Sequence, residues 1–199
     1  MSKNTTIPTS STKPTQQQAQ DAVKTLISWA GDNPNREGLL ETPKRVVNAY
    51  LDFFSGYTQD PIKVLGKTFE EVGGYNDLVL INNIRVESHC EHHMVPIIGQ
   101  AFVAYLPNNK VVGISKIARL VEIFAKRLQT QETMTAQIAN TINEVLNPKG
   151  VAVLIDAFHQ CMTTRGVHKT EASTVTCTFL GQFQTDKNLE TRFFNMIKK

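Results

Sequence analysis

The order of elements along this chain predicts an α+β fold: an antiparallel four-stranded sheet with two helices on one face, preceded by N-terminal helices. Two observations carry that prediction. Ile84, Val86 and Ser88 alternate with Arg85, Glu87 and His89, the period of a half-buried strand. The period then lengthens to that of a helix at Ile117, Leu120, Val121, Phe124 and Leu128. It does so again at Met134, Ile138, Ile142, Val145 and Leu146, before strand character returns.

Element by element, residues 1–18 read as a flexible polar tail. They hold eight Ser or Thr and, after Met1, only Ile7 as an aliphatic residue, too little apolar surface to offset ordering. Residues 19–60 form an N-terminal helical segment. Val23, Leu26, Ile27 and Ala30 take helical spacing, and Gly31-Asp32-Asn33-Pro34 interrupts it. Thr42-Pro43 then reads as an N-cap with proline at the first helical position, followed by a stripe of Val46, Val47, Tyr50, Leu51 and Phe54. Residues 61–199 form the main domain. Its first strand carries the 84–89 alternation, and 101–106 supplies the antiparallel partner after Pro96 and Gly99. The two helices follow, and Asn147-Pro148 with Gly150 ends the second. Val151–Ile155 and Thr174–Phe183 return to strand, and 186–198 closes the chain as a short helix.

Composition narrows the function classes. With 199 residues, 41% hydrophobic and 20% charged, the chain can bury a core and is not disordered as a whole. A net charge of +3 suits anionic small molecules. The Lys and Arg residues are scattered without interleaved aromatics, which disfavours nucleic acid. No apolar run approaches the ~20 residues of a membrane span, and the N-terminus lacks a secretory apolar region. Three cysteines are poor material for a disulfide framework and fit a reducing compartment, so the expected location is the cytoplasm.

The chemistry gathers in two places. Cys90-Glu91-His92-His93 puts a thiol and an imidazole three positions apart, so one turn can aim both at a point. A polar turn after a strand is the plainer alternative. Farther on, strand alternation in Ala157-Phe158-His159-Gln160-Cys161 places His159 and Cys161 on one face, where a cysteine and a histidine are often simply core. Taken together, Cys90, His93 and Cys161 make a set of two cysteines and one histidine. Three protein ligands leave the fourth position of a tetrahedral zinc free for water, the catalytic arrangement. His92 and His159 would then stand beside the metal as proton carriers. Cys177 has no such neighbours and reads as a buried small hydrophobe. Ser115 opens a helix with Lys116 and Arg119 in its first turn, where amides, dipole and cations can converge on an anion, joined by Arg165. Taken alone, that stretch is an ordinary solvated helix start. Glu132 begins the next helix, where acids usually serve the dipole. Its carboxylate can also accept two parallel N–H bonds from a guanidine-like edge.

These blocks, with Gly113-Ile114-Ser115-Lys116-Ile117-Ala118-Arg119, Gln131-Glu132, His159-Gln160-Cys161-Met162, Arg165-Gly166-Val167 and Gly38–Arg45, closely resemble type I GTP cyclohydrolase over roughly residues 20–185. The resemblance implies the tunnelling fold and a homodecamer of two pentameric rings with zinc sites at subunit interfaces. It implies conversion of GTP to 7,8-dihydroneopterin triphosphate and formate, the entry to folate or tetrahydrobiopterin synthesis. On it, Cys90, His93 and Cys161 match the zinc ligands, and His92 and His159 the acid–base histidines. Glu132 matches the guanine anchor, with Gln131 beside it. Ser115, Lys116, Arg119, Arg165 and a neighbouring subunit's Arg45 match the groups around ribose and triphosphate. His89 and His168 receive no role. Two other readings remain. One is a non-enzymatic zinc module, which needs a fourth protein ligand. The other is a related nitrile reductase, which works through a cysteine nucleophile without zinc.

Overall fold

The computed structural model describes residues 13–66, 68–69 and 74–198. The chain divides into two compact units, up to Asp52 and from Phe53 to Lys199, whereas the sequence places a border after residue 60. The first unit holds α1 (Gln16–Trp29) and almost all of α2 (Thr42–Phe53). α1 begins before the expected residue 19 because Thr15 and Gln18 form a capping box. The Gln18 amide donates to Thr15 Oγ1 at 3.2 Å, and the Thr15 amide donates to Gln18 Oε1 at 2.8 Å. Residues 13–18 are therefore not a loose tail, and residues 1–12 of that expected tail lie outside the described residues. α2 starts at Thr42 itself. The Arg45 amide donates to the Glu41 carbonyl at 3.0 Å, so Thr42 lies inside the helix rather than capping it.

The second unit runs α3 (Pro61–Leu65), β1 (Thr68–Phe69), β2 (Val79–Cys90), β3 (Pro96–Leu106), β4 (Val111–Val112), α4 (Ile114–Ala125), β5 (Leu128–Gln129), α5 (Gln131–Leu146), β6 (Gly150–His159), α6 (Gln160–Thr163), β7 (Ser173–Gly181), α7 (Gln182–Thr185) and α8 (Lys187–Ile197). The α+β architecture stands, with one change to the sheet. It has five strands in the order β5-β2-β3-β6-β7, and β1 pairs separately with β4. The added strand, β5, lies parallel to the end of β2, with His89 opposite Leu128 and Cys90 opposite Gln129. Leu128 continues the helical spacing of α4 in sequence, but the helix has stopped at Ala125.

A bulge at Asn83 (φ 55°) resets β2 so that Ile84, Val86, Ser88 and Cys90 all turn inward. Val86, Ala101, Val103, Val153 and Ile155 pack beneath Ile117, Leu120 and Phe124 of α4 and Met134, Ile138 and Ile142 of α5. These are the two helices expected on one face. On the opposite face Leu106, Ala152 and Leu154 meet Phe183 and Phe193. Phe183, expected in the last strand, lies in α7 instead. The chain turns at Gly181 (φ +61°), where a Cβ would meet the Lys149 carbonyl oxygen at 2.4 Å, so β7 ends there.

The short β5 is held from outside the sheet. The Gly56 amide donates to the Lys126 carbonyl at 3.0 Å, and Arg127 Nε donates back to the Gly56 carbonyl at 3.1 Å. The Leu128 amide donates to the Tyr57 hydroxyl at 3.1 Å, while the Arg127 guanidinium lies 5.0 Å from the Phe124 ring centre. Gly56 has no room for a side chain: a Cβ would sit 2.1 Å from the Ile123 carbonyl oxygen and 2.7 Å from that of Lys126. Gly56→Ala must push backbone apart and should cost ~1–3 kcal/mol, as overpacking does. Chemical denaturation checks this, and an unchanged midpoint would mean that the 53–60 segment yields freely. No helix among the described residues is long and apolar enough to cross a membrane.

Candidate active site

One end of the sheet collects the chemical residues, and strand register explains how. β2 ends at Cys90. A tight loop follows, in which the Met94 amide donates to the Cys90 carbonyl and the Cys90 amide to the Val95 carbonyl, both at 2.9 Å. Met94 takes a left-handed backbone (φ 54°) to close it. Cys90 stays buried while His92 and His93 project outward. β3 returns beside β2 and aligns Ile97 with His159, so the last residue of β6 arrives at the same end. Gln129 of β5 accepts the Glu91 amide at 3.1 Å. This ties the start of α5, and with it Gln131 and Glu132, to the Cys90 loop. Thr130 caps that helix through the Thr133 amide.

Cys161 does not share a strand face with His159, as alternation predicts. β6 ends at His159, and Cys161 sits in the single turn of α6, which curls it toward Cys90. One ligand atom from each of Cys90, His93 and Cys161 lies within 4.8 Å of the others, with Cys90 Sγ 3.9 Å from His93 Nδ1. Zinc bonds of about 2.3 Å to sulfur and 2.0 Å to nitrogen place tetrahedral ligand atoms roughly 3.5–3.8 Å apart. The three side chains thus fit a zinc ion after closing by about an ångström, and two thiolates with an imidazole suit its softness. Burial pushes the Cys161 thiol above its usual range, and neighbouring Cys90 adds to this, as two thiols facing one point must.

Arg165 donates from Nη1 to His93 Nε2 at 2.8 Å, a contact across 72 positions that no local pattern predicts. His159 Nε2 lies 2.8 Å from Gln131 Oε1. Burial holds the His159 imidazole below its usual range, and the Glu132 charge opposes that shift, which places the carboxylate in its neighbourhood. His92 is exposed, with Nε2 4.0 Å from Glu91 Oε1 and its ring centre 6.4 Å from that of His93. Gln131, beside Glu132 in sequence, is 1% exposed.

Ser115, Lys116 and Arg119 belong to the half of α4 farther from the Cys90 loop. The C-terminal end of α4 leads into β5 beside Cys90, whereas those three residues occupy its first turns. Twelve residues at about 1.5 Å each put some 18 Å between the helix ends. Arg119 instead lines a groove of about 300 Å³ with Arg85, Glu87 and Glu122. Arg45 lies in α2, in the first unit. His89 packs between Phe53 and Phe54, at centroid distances of 4.8 and 5.3 Å, and His168 is exposed in the loop before β7. Cys177 is exposed, not buried, because β7 is the edge strand of the sheet.

Comparison with known proteins adds a second line. The family profile described as GTP cyclohydrolase I matches residues 19–198. The GTP cyclohydrolase 1 of Maricaulis maris is 64% identical over 188 residues, covering 94% of this chain and 92% of that protein. That of Hyphomonas neptunium is 62% identical over 189 residues, covering 95% and 92%. That of Brucella anthropi is 60% identical over 187 residues, covering 94% and 88%. Among solved structures, an apo archaeosine synthase QueF-Like aligns at 17% identity with a TM-score of 0.42, over 52% of this chain and 93% of that one, a likeness too slight to argue from.

Proposed function

The chain belongs to the GTP cyclohydrolase I family and is an enzyme with GTP cyclohydrolase activity, and from that premise we propose a zinc-dependent conversion of GTP to 7,8-dihydroneopterin triphosphate and formate. The observation that carries this reading is the meeting of Cys90, His93 and Cys161 at the sheet end that also holds His159 and Glu132. Zinc held by the three ligands would supply Lewis-acid activation of water, lowering its pKa to about 7.

The chain's own residues do the rest. Glu132 anchors guanine by accepting from the ring N–H and the exocyclic amine together, a pair of donors that adenine does not present. Water adds at the carbon between the imidazole nitrogens. His159 delivers a proton to nitrogen as the carbon–nitrogen bond breaks, and His92 serves as a second carrier at the mouth. A second hydrolysis releases formate. The ribose then opens and condenses onto the freed amine, returning one water. Were His93 to hold the metal through Nδ1, the nitrogen nearer Cys90, its Nε2 would carry a proton and could not accept from a guanidinium, so Arg165 would be free for the triphosphate.

The ~18 Å length of α4 supports a site completed by other copies of the chain, with Ser115, Lys116 and Arg119 of one protomer, and Arg45, serving a neighbour's triphosphate. A homo-oligomer, a decamer on the family resemblance, is also supported by exposed Trp29, Leu26 and Leu51 on the N-terminal helices. Ile98, Phe158 and Val175, exposed on the sheet, add to this. The cytoplasm is the proposed location, and the product feeds pterin synthesis.

Fluorescence of the oxidised pterin after incubation with GTP tests the whole reading. Product should form, vanish with a chelator and return with zinc. Turnover that survives complete metal removal would refute the zinc requirement, and no pterin under any condition would refute the reaction. Glu132→Ala should weaken GTP binding by on the order of 10²–10⁴-fold and erase the preference over ATP. Unchanged GTP affinity would reduce Glu132 to a helix-start acid.

A further inference from the structure

His159 is half-buried, and only one of its nitrogens has a protein partner. That partner is the side chain of Gln131, which is itself sealed in the protein. Which way the Gln131 amide points decides which nitrogen of His159 carries a proton, because an amide oxygen can only accept and an amide nitrogen can only donate.

The surroundings of Gln131 settle its orientation. Its Nε2 lies 3.0 Å from the Ile155 carbonyl oxygen and 2.8 Å from that of Thr174. Both are acceptors only, so the NH₂ end must face them. Thr176 Oγ1 is a third oxygen, at 3.1 Å. The Thr135 hydroxyl donates to the Gln131 main-chain carbonyl at 2.7 Å, which leaves its own oxygen to accept from Thr176 across 2.7 Å. Thr176 has then used its proton and turns a lone pair toward Gln131. Reversing the amide would set its oxygen against the carbonyl oxygens of Ile155 and Thr174 and lose both of those bonds. Oε1 must therefore face His159, and it must accept.

We propose that Gln131 is a positioning residue that holds neutral His159 as the Nε2–H tautomer, so that the bare Nδ1 is the nitrogen presented to the substrate. Among the described residues Nδ1 has no hydrogen-bond partner, and the side chain is only half-buried. Proton transfer then runs through Nδ1 alone. Nε2–H stays bonded to Gln131, which leaves Nδ1 as the atom through which His159 can exchange a proton with the substrate. This role rests on His159 as a proton carrier. It departs from the expectation that Gln131 touches guanine, since a residue 1% exposed with both amide ends engaged has nothing left to offer a base. Sequence could not reveal it, because the partners lie 24 to 45 positions away from Gln131.

Neutron diffraction on the zinc-loaded enzyme at mildly alkaline pH reads the tautomer directly. A deuteron on His159 Nε2, pointing at Gln131, with Nδ1 bare, is the expected result; a deuteron on Nδ1 overturns the proposal. Kinetics supply the second readout. Gln131→Met removes the acceptor at similar length and should lower kcat ~10–10²-fold with KM for GTP nearly unchanged. Should that variant fail to fold, Thr176→Val serves in its place. It keeps the shape, loosens the amide's hold, and should lower kcat several-fold, again without raising KM. A loss confined to KM in the variant that folds would make Gln131 a substrate contact and overturn the assignment. Failure of the underlying reading looks different: His159→Ala would then retain full turnover even with the deuteron on Nε2.

Discussion

Cys161→Ser should abolish zinc binding and turnover together while leaving the fold intact. Cys161 is one of the three proposed ligands, and serine replaces a thiolate with a hydroxyl that stays protonated near neutral pH and is a harder donor. Two remaining ligands, Cys90 and His93, make a poor site. Metal activation of water is worth several kcal/mol, so turnover should fall by about 10³-fold or more. The fold should survive because Cys161 is half-buried on the one-turn α6, at the margin of the core under α4 and α5. Elemental analysis and circular dichroism check the two halves. One zinc per chain in Cys161→Ser would remove the residue from the ligand set. Metal loss with unfolding would favour the zinc module whose metal only fixes the fold.

The parts of this molecule legible in sequence are those with a repeating signal. The alternation through Ile84, Val86 and Ser88 matches the buried face of β2, and the apolar spacing of 117–124 and 134–146 matches α4 and α5. Where an element is too short for its period to show, the sequence misleads. Leu128 fits the α4 stripe by spacing, yet β5 has only two residues and exists because the Gly56–Arg127 contacts hold it beside β2. α6 is a single turn, so Cys161 looked like a continuation of β6. The start of α1 was readable in principle, since Thr15 and Gln18 have capping-box spacing, but the glutamine run around them carries no apolar stripe.

The candidate site divides the same way. The cluster of Cys90, His93 and Cys161 could be suspected because cysteine and histidine seldom crowd together without a chemical reason. What brings the three together is register, Ile97 opposite His159 and Cys90 opposite Gln129, which no local pattern encodes. The contacts of Gln131 and Arg165 span 28 and 72 positions and could not be read at all. The placement of Ser115 away from the Cys90 end of α4 was within reach, since twelve helical residues span about 18 Å.

His159→Ala should keep zinc and GTP binding while losing at least ~10²-fold in turnover, the lower end for general acid–base catalysis. Zinc should stay because His159 is not one of the converging ligand atoms and its Nε2 is committed to Gln131 at 2.8 Å. GTP affinity should stay because the guanine anchor assigned to Glu132 is untouched. What disappears is an imidazole two positions from Cys161 and near Glu132, in a partly desolvated position where proton transfer is not short-circuited by bulk water. His92 is a useful contrast. With a side chain 69% exposed beside Glu91, it can be replaced in part by solvent, and His92→Ala should cost less than His159→Ala. Parallel measurement of zinc content, GTP affinity and single-turnover rate in the two variants decides the matter. Zinc lost along with activity in His159→Ala would make this histidine a ligand. Equal or smaller losses than in His92→Ala would move the main proton carrier to the mouth of the site.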